Sequence, residues 1–202
     1  HLLIIVVLIT LLFYFFIIPD EGIFSILLAV ISSVSTSGIS IYSSNFDVSL
    51  FFILMTIIGG SLISTSSGFK YIRFYILLKI SYQEIYKLVK PINIFNRNLF
   101  HSDSQFDDQD TKIAFLVFIS FIISVFILSS ILTFDYLTFE NSFKLSILTL
   151  TNTLSSALYG MDNLSFVDLN NFTKMSLILF MILGKIEIIA VIYLIRRIIF
   201  RE

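Results

Sequence analysis

Four long apolar blocks set the pattern of this chain: Leu2 to Ile18, Val48 to Ile63, Ile113 to Leu132, and Met175 to Ile195 with its single charged pair. Each approaches the ~20 residues that a helix needs to cross a bilayer. Between the first and second blocks lies a shorter apolar segment, Gly22 to Ser35, and between the third and fourth lies another, Ser142 to Thr153, both richer in Ser and Thr. Segments of that length dip into a membrane and turn back. Their non-helical turns need protein or a water-filled cavity around them, because lipid cannot satisfy bare N–H and C=O groups. The order is span, dip, span, written twice. It predicts an all-α membrane protein of two span–pore helix–span repeats with re-entrant pore loops, residues 1–73 and 112–202, joined by a connector over residues 74–111. Internal duplication of this kind places the two units at equivalent positions about an axis.

Within the connector, Phe74 to Val89 carries apolar residues at helical spacing among Lys79, Glu84 and Lys87, which predicts an amphipathic helix ended by Lys90-Pro91. Asn93 to Asp110 reads as a solvated polar loop, since His101 and the aspartates around it lack paired metal-ligand spacing. Lys70, Arg73, Lys79, Lys87, Lys90, Arg97 and Lys112 cluster in or beside the connector, and Arg196, Arg197 and Arg201 close the chain. By the positive-inside rule the connector and the C-terminus are cytoplasmic. The opposite side holds Asp20, Glu21, Asp47, Asp135, Glu140, Asp162 and Asp168 against Lys144 and Lys174, an acidic mouth that would concentrate cations.

Composition supports a membrane setting: 57% of residues are hydrophobic, 13% are charged, and the mean hydropathy is +0.97. Leu2 to Ile18 lacks the basic leader and small-residue cleavage site of a signal peptide, so it is read as a span. The first residue is His1, and the chain is expected to begin inside a longer protein. Without cysteine there is no disulfide framework, thiolate metal site or cysteine nucleophile. The net charge of −1 shows no basic excess for nucleic acid. No Ser/His/Asp, metal or phosphate-cradling constellation lies in the apolar blocks, so an enzyme is not expected.

Candidate chemistry sits where the dips end. Stripping water from a monovalent cation takes a ring of oxygens, which backbone carbonyls supply when the chain is extended and a glycine permits conformations barred to other residues. Ser35-Thr36-Ser37-Gly38 fits that need. Gly59-Gly60 and the run Ser64-Thr65-Ser66-Ser67-Gly68 ahead of Lys70 predict a break in the second span, with the break itself expected between Ser64 and Gly68. A straight helix would carry Lys70 roughly 33 Å from Val48; the break would draw it back toward the pore. Close packing by small residues is the competing reading of the same cluster. Lys185 lies inside the final span, where a charge must face water or a partner. Glu187, two residues on, lies on another helical face.

Read in order, Ser35 to Arg73 with Gly59-Gly60, Ser64-Thr65, Gly68, Lys70 and Arg73, followed by Met181-Ile182-Leu183-Gly184-Lys185-Ile186-Glu187, resembles the Trk/Ktr/HKT superfamily of potassium transporters. Members similar to this chain carry a Thr/Ser-Gly filter, a Gly-Gly-x-x-Gly-Ser-Thr-x-Gly-Gly-Ile-Lys-x-x-Arg segment, and a Met-x-x-Gly-Arg-x-Glu signature. The resemblance implies the third and fourth of four repeats, hence the C-terminal half of a four-repeat, potassium-channel-like pore. It implies uptake of potassium, with sodium left open, across the bacterial inner membrane, through the carbonyls of Thr36, Ser37 and Gly38 and a second filter at Thr153, Leu154, Ser155 and Ser156. It assigns a gating loop to Gly59, Gly60, Ser64, Thr65, Ser66, Ser67, Gly68 and Lys70, and a pore barrier to Lys185, which replaces the family arginine. Ile63, Ser67 and Ser156 stand where the family has glycines. No organic cofactor is implied. The implied partners are lipid, an N-terminal half or a second copy, a homodimeric mate, and a cytosolic nucleotide-binding subunit. The alternative is a degenerate, non-conducting membrane subunit for assembly or anchoring.

Overall fold

A computed structural model of the chain describes residues 2–17, 22–39, 48–60, 67–89, 107–135, 137–153, 157–161, 166–167 and 169–186. Every regular element among these residues is helical: α1 (Leu2–Leu12), α2 (Ile23–Ser35), α3 (Ser49–Ile58), α4 (Tyr71–Val89), α5 (Asp108–Thr133), α6 (Phe139–Thr151) and α7 (Asn171–Ile186). A π-helical turn, Phe13–Ile17, prolongs α1, and a 3-10 turn, Ala157–Tyr159, follows α6.

The sequence of α5 shows how these helices pair. Ala114, Val117, Ser120, Phe121, Ser124, Val125, Leu128, Ser129 and Leu132 recur at helical spacing and are buried, whereas Phe115, Leu116, Ile119, Ile123, Phe126 and Ile127 are exposed. The inward stripe is thus the smaller and more hydroxylated one. That is the arrangement expected where lipid is as apolar as leucine and association depends on close backbone approach. Ser120 Oγ donates within its own helix to the Leu116 carbonyl at 2.6 Å, and Thr133 Oγ1 to the Ser129 carbonyl at 2.8 Å, whereas the buried Ser129 hydroxyl makes no hydrogen bond.

Each short helix lies between two neighbours: α2 packs on α1 and α3, and α6 packs on α5 and α7. Contacts of α3 with α6 and of α4 with α5 join the two groups. Phe13, fully buried, fastens the π turn onto α3 through the Phe51 and Phe52 rings, with centroids 4.7 and 5.5 Å away.

Several boundaries differ from the sequence pattern. Among the described residues one helix, α5, is long and apolar enough to cross a membrane, where four blocks near that length were expected. The first block changes to π hydrogen bonding at Phe13, and the second ends its helix at Ile58 because Gly59 takes φ 51° and ψ −178°. The fourth is described as far as Ile186. Helix α5 starts at Asp108, inside the stretch expected to be a polar loop. The Asp107 N–H donates to the Asp110 carboxylate at 3.0 Å, and acidic residues in a first turn favour the helix dipole. His101, Asp20, Glu21, Asp47, Asp162, Asp168 and Glu187 lie outside the described residues.

Candidate permeation site

Helices α2 and α6 each contain 13 residues and end in the same way. Thr36 closes α2 at φ 53°, ψ 37°, and Asn152 closes α6 at φ 56°, ψ 33°. These are the non-glycine residues with positive φ among the described residues, and a β-branched residue such as Thr36 seldom adopts that conformation. Each turn is held by the same pair of backbone bonds. Thr36 N and Asn152 N donate to Ser33 and Thr149 at 3.3 and 3.1 Å, and Ser37 N and Thr153 N reach further back to Ser32 and Leu148 at 3.1 and 2.9 Å. This is the Schellman closure of a helix C-terminus. Neither last turn carries a basic side chain, so no residue of those turns offsets the partial negative charge of the helix ends.

Beyond Ile58 the chain leaves the helix at Gly59 and returns at Ser67 to Phe69. Phe69 N donates to the Ile57 carbonyl at 2.8 Å and Tyr71 N to Gly60 at 3.2 Å, which brings the start of α4 back to the level of the end of α3. Two glycines make this crossing possible. At Gly68, φ +89°, a Cβ would lie 2.8 Å from the Thr56 carbonyl; at Gly59, φ +51°, one would lie 2.9 Å from that of Ser67. The break therefore begins earlier than the hydroxyl cluster predicts, and Lys70 is drawn back beside it.

The returning chain meets both turns. Buried Ser67 donates its N–H to Thr36 Oγ1 at 3.2 Å, and its Oγ accepts from Asn152 Nδ2 at 3.0 Å. Asn152 Nδ2 also donates to the Met181 carbonyl of α7 at 3.1 Å. One strand of loop, two helix ends and α7 thus share a single polar cluster.

The crystal structure of the potassium transporter TrkH from Vibrio parahaemolyticus matches the chain with a TM-score of 0.79 at 21% sequence identity, covering 95% of this chain and 42% of that one. The fold is TrkH-like. The chain spans about two fifths of that transporter chain. No protein-family model and no curated protein matches the sequence.

On this TrkH-like frame the residues singled out by sequence fall as follows. Thr36 is buried, Ser35 and Ser37 are exposed, and Gly38 takes φ +70°. Thr153 is buried, with its Oγ1 2.7 Å from that of Thr151. Gly59, Gly60 and Ser67 are buried beside Gly68, and Lys70 is half-buried. Leu154, Ser155, Ser156, Ile63, Ser64, Thr65 and Ser66 lie outside the described residues. Lys185 is exposed, one residue after Gly184, where a Cβ would come within 2.0 Å of the Leu150 carbonyl.

Three contributors escape a reading of the sequence. Asn152 bridges to Ser67 across 85 positions, a pairing that no local pattern reveals. Tyr159 is wholly buried, its hydroxyl close to those of Ser33 and Thr153 though outside hydrogen-bond geometry, behind both turns. Thr151 touches the loop through its methyl, 3.4 Å from where a Gly68 Cβ would stand. For Tyr159 the one local signal is the glycine that follows it, Gly160, at φ +67°.

Proposed function

We propose that this chain supplies two quadrants of a cation pore that takes up potassium across a bacterial inner membrane. The observation that carries the reading is the pair of matching helix ends, Thr36 and Asn152, whose unneutralised C-terminal dipoles converge on one polar cluster. Carbonyls after those turns, at Thr36, Ser37, Gly38 and Thr153, would replace the hydration shell of the ion. Passage needs no covalent step and no organic cofactor.

The chain between Gly59 and Lys70 serves as the gate beneath that filter. Among the described residues the N–H groups of Ser67, Phe69 and Tyr71 are satisfied by protein, the condition under which irregular backbone survives at membrane depth. Lys185 sets a positive barrier in the path. The other quadrants come from an N-terminal half or a second copy, in a homodimer whose cytoplasmic face, including α4, meets a nucleotide-binding regulatory subunit.

Rubidium uptake into proteoliposomes tests the reading, using the natural protein that contains this chain. Uptake that potassium competes away and sodium does not is the expected result. Folded protein without cation flux would replace this reading with that of a non-conducting subunit.

A further inference from the structure

We infer that Ser67 is a positioning residue that ties the loop to both filter turns, so that loop and turns change conformation together. The inference rests on reading those turns as a filter. Its physical basis is that one residue holds the two strained positions of the site. Thr36 and Asn152 keep a left-handed backbone without being glycine, and Ser67 bonds the side chain of each. The N–H serves Thr36 and the hydroxyl serves Asn152, from 31 and 85 positions away.

Ser67 cannot slip out of this cluster by itself. Gly68 lies against the Thr56 and Ile57 carbonyls, where a Cβ would stand at 2.8 and 3.2 Å, and Phe69 is bonded to Ile57. A movement that displaces Ser67 together with Gly68 and Phe69 removes a hydrogen bond from each turn. The two turns do not respond alike. Asn152 retains Met181 when Ser67 leaves, so the second turn is anchored to α7 independently of the loop. The turn at Thr36 is the one whose shape follows the gate.

The coupling has a non-local signature. The Ser67 hydroxyl contacts Asn152, so deleting it as Ser67→Ala touches the second turn directly, and the first turn only if the cluster acts as a unit. The chain has no cysteine, and Ser37 is exposed next to Thr36. Ser37→Cys therefore gives the one thiol of this chain as a reporter on the first turn, with any cysteine elsewhere in the full protein replaced beforehand. The experiment measures its modification rate by a water-soluble methanethiosulfonate in proteoliposomes of the full protein, in four backgrounds: parent, Ser67→Ala, Asn152→Gly, and both.

Glycine at 152 keeps the left-handed turn and removes only the side chain. The expected result is a rate raised about threefold to tenfold by Ser67→Ala, the range set by losing one buried hydrogen bond. In the double variant Ser67→Ala adds less than about twofold to the effect of Asn152→Gly, which has already removed the contact with Ser67 along with the bond to Met181. Rates equal in all backgrounds, or independent multiplicative effects, overturn the coupling. Ser67→Gly deletes the same hydroxyl and replaces Ser67→Ala if the latter lowers folded yield. Potassium and sodium flux, measured on vesicles of the same proteins with Ser37 intact, isolate the premise. Altered labelling without any flux keeps the coupling and removes the transport reading, whereas flux with unaltered labelling does the reverse.

Discussion

In the first group of helices α3, which follows the turn at Thr36, stops at Ile58 and hands over to a glycine-flanked loop, whereas in the second α7, which follows the turn at Asn152, runs unbroken through Gly184 to Ile186. The helices before those turns match in length and capping. What separates the units is therefore the use made of glycine. Gly59 and Gly68 adopt positive φ and let the backbone leave the helix, while Gly184 stays helical and lets α7 press against the last turn of α6. Asn152 adds a side-chain bond to the Met181 carbonyl on that same helix. The second unit is built as the fixed reference against which the loop of the first is positioned.

The largest effect is expected where that reference is disturbed. A methyl at Gly184 would meet the Leu150 carbonyl at 2.0 Å and its carbonyl carbon at 2.8 Å, and backbone cannot swing aside as a side chain can. Gly184→Ala should destabilise by the upper end of the ~1–3 kcal/mol typical of overpacking, or more. Thermal unfolding in detergent and the yield of monodisperse protein measure it. Gly22→Ala is the matched control, because its nearest neighbour, Ser25 Oγ, would stand 3.9 Å away. Equal stability of the two variants would mean that α6 and α7 do not approach so closely.

Next comes the loop. Gly68→Ala combines a φ of +89° with a contact of 2.8 Å to the Thr56 carbonyl, so the returning strand cannot keep its seat. The left-handed backbone alone costs ~1–2 kcal/mol. Since α5, α6 and α7 pack on one another and the strand adds to them only the Phe69–Phe118 ring contact and the edge of α6 at Thr151 and Asn152, insertion and most of the folded yield should survive while gating of cation flux is lost. A Gly68→Ala variant that loses folded protein as severely as Gly184→Ala would erase the distinction between a movable loop and a fixed helix.

How much of this was legible in the sequence follows from the range of each interaction. Helix α5 is legible in its long apolar run, but its start is not, because the Asp107 to Asp110 cap lies in the stretch whose polar composition reads as a loop. The existence of the break is legible in the glycines and hydroxyls of residues 59–68, but its start is not. Apolar residues continue to Ile63, and only the backbone shows that Gly59 has already left the helix. The left-handed Thr36 runs against its β-branched chemistry. Its partner Ser67 lies in another element, and the bridge to Asn152 joins the two units. Propensity and hydropathy carry no information on such pairings.

The turns at Thr36 and Asn152 offer a narrower comparison. Gly38 follows its turn at φ +70°, a conformation that alanine holds at a cost of ~1–2 kcal/mol. Gly38→Ala should leave folding nearly intact, since the strain falls at one half-buried residue after the helix, but reduce discrimination of potassium from sodium by roughly an order of magnitude as the carbonyls reorient. Rubidium uptake in competition with each ion reads this directly. An unaltered ratio would remove Gly38 from the filter and leave the turn at Thr36 with a purely structural role.

The smallest effect expected is that of Lys185, which marks the charge difference between the two units. It follows Gly184, so its backbone is fixed next to Leu150, two residues before the Asn152 turn, while its side chain is exposed. A basic group inside a span costs at least ~2.5 kcal/mol unless water or a counter-charge receives it, which keeps it away from lipid. A unit charge acting on an ion across about 10 Å at an effective dielectric of about 40 contributes about 0.8 kcal/mol, or about fourfold in occupancy. Lys185→Gln should therefore raise cation flux about fourfold at low ionic strength and less at high salt, while Lys185→Arg preserves the parent rate because charge rather than shape sets the barrier. A structural ion pair makes the opposite forecast: neutralisation strands its counter-charge and lowers folded yield without changing flux per molecule. Flux and folded protein measured together on the Gln variant decide between them, and a lower yield at constant flux per molecule removes the barrier role from α7.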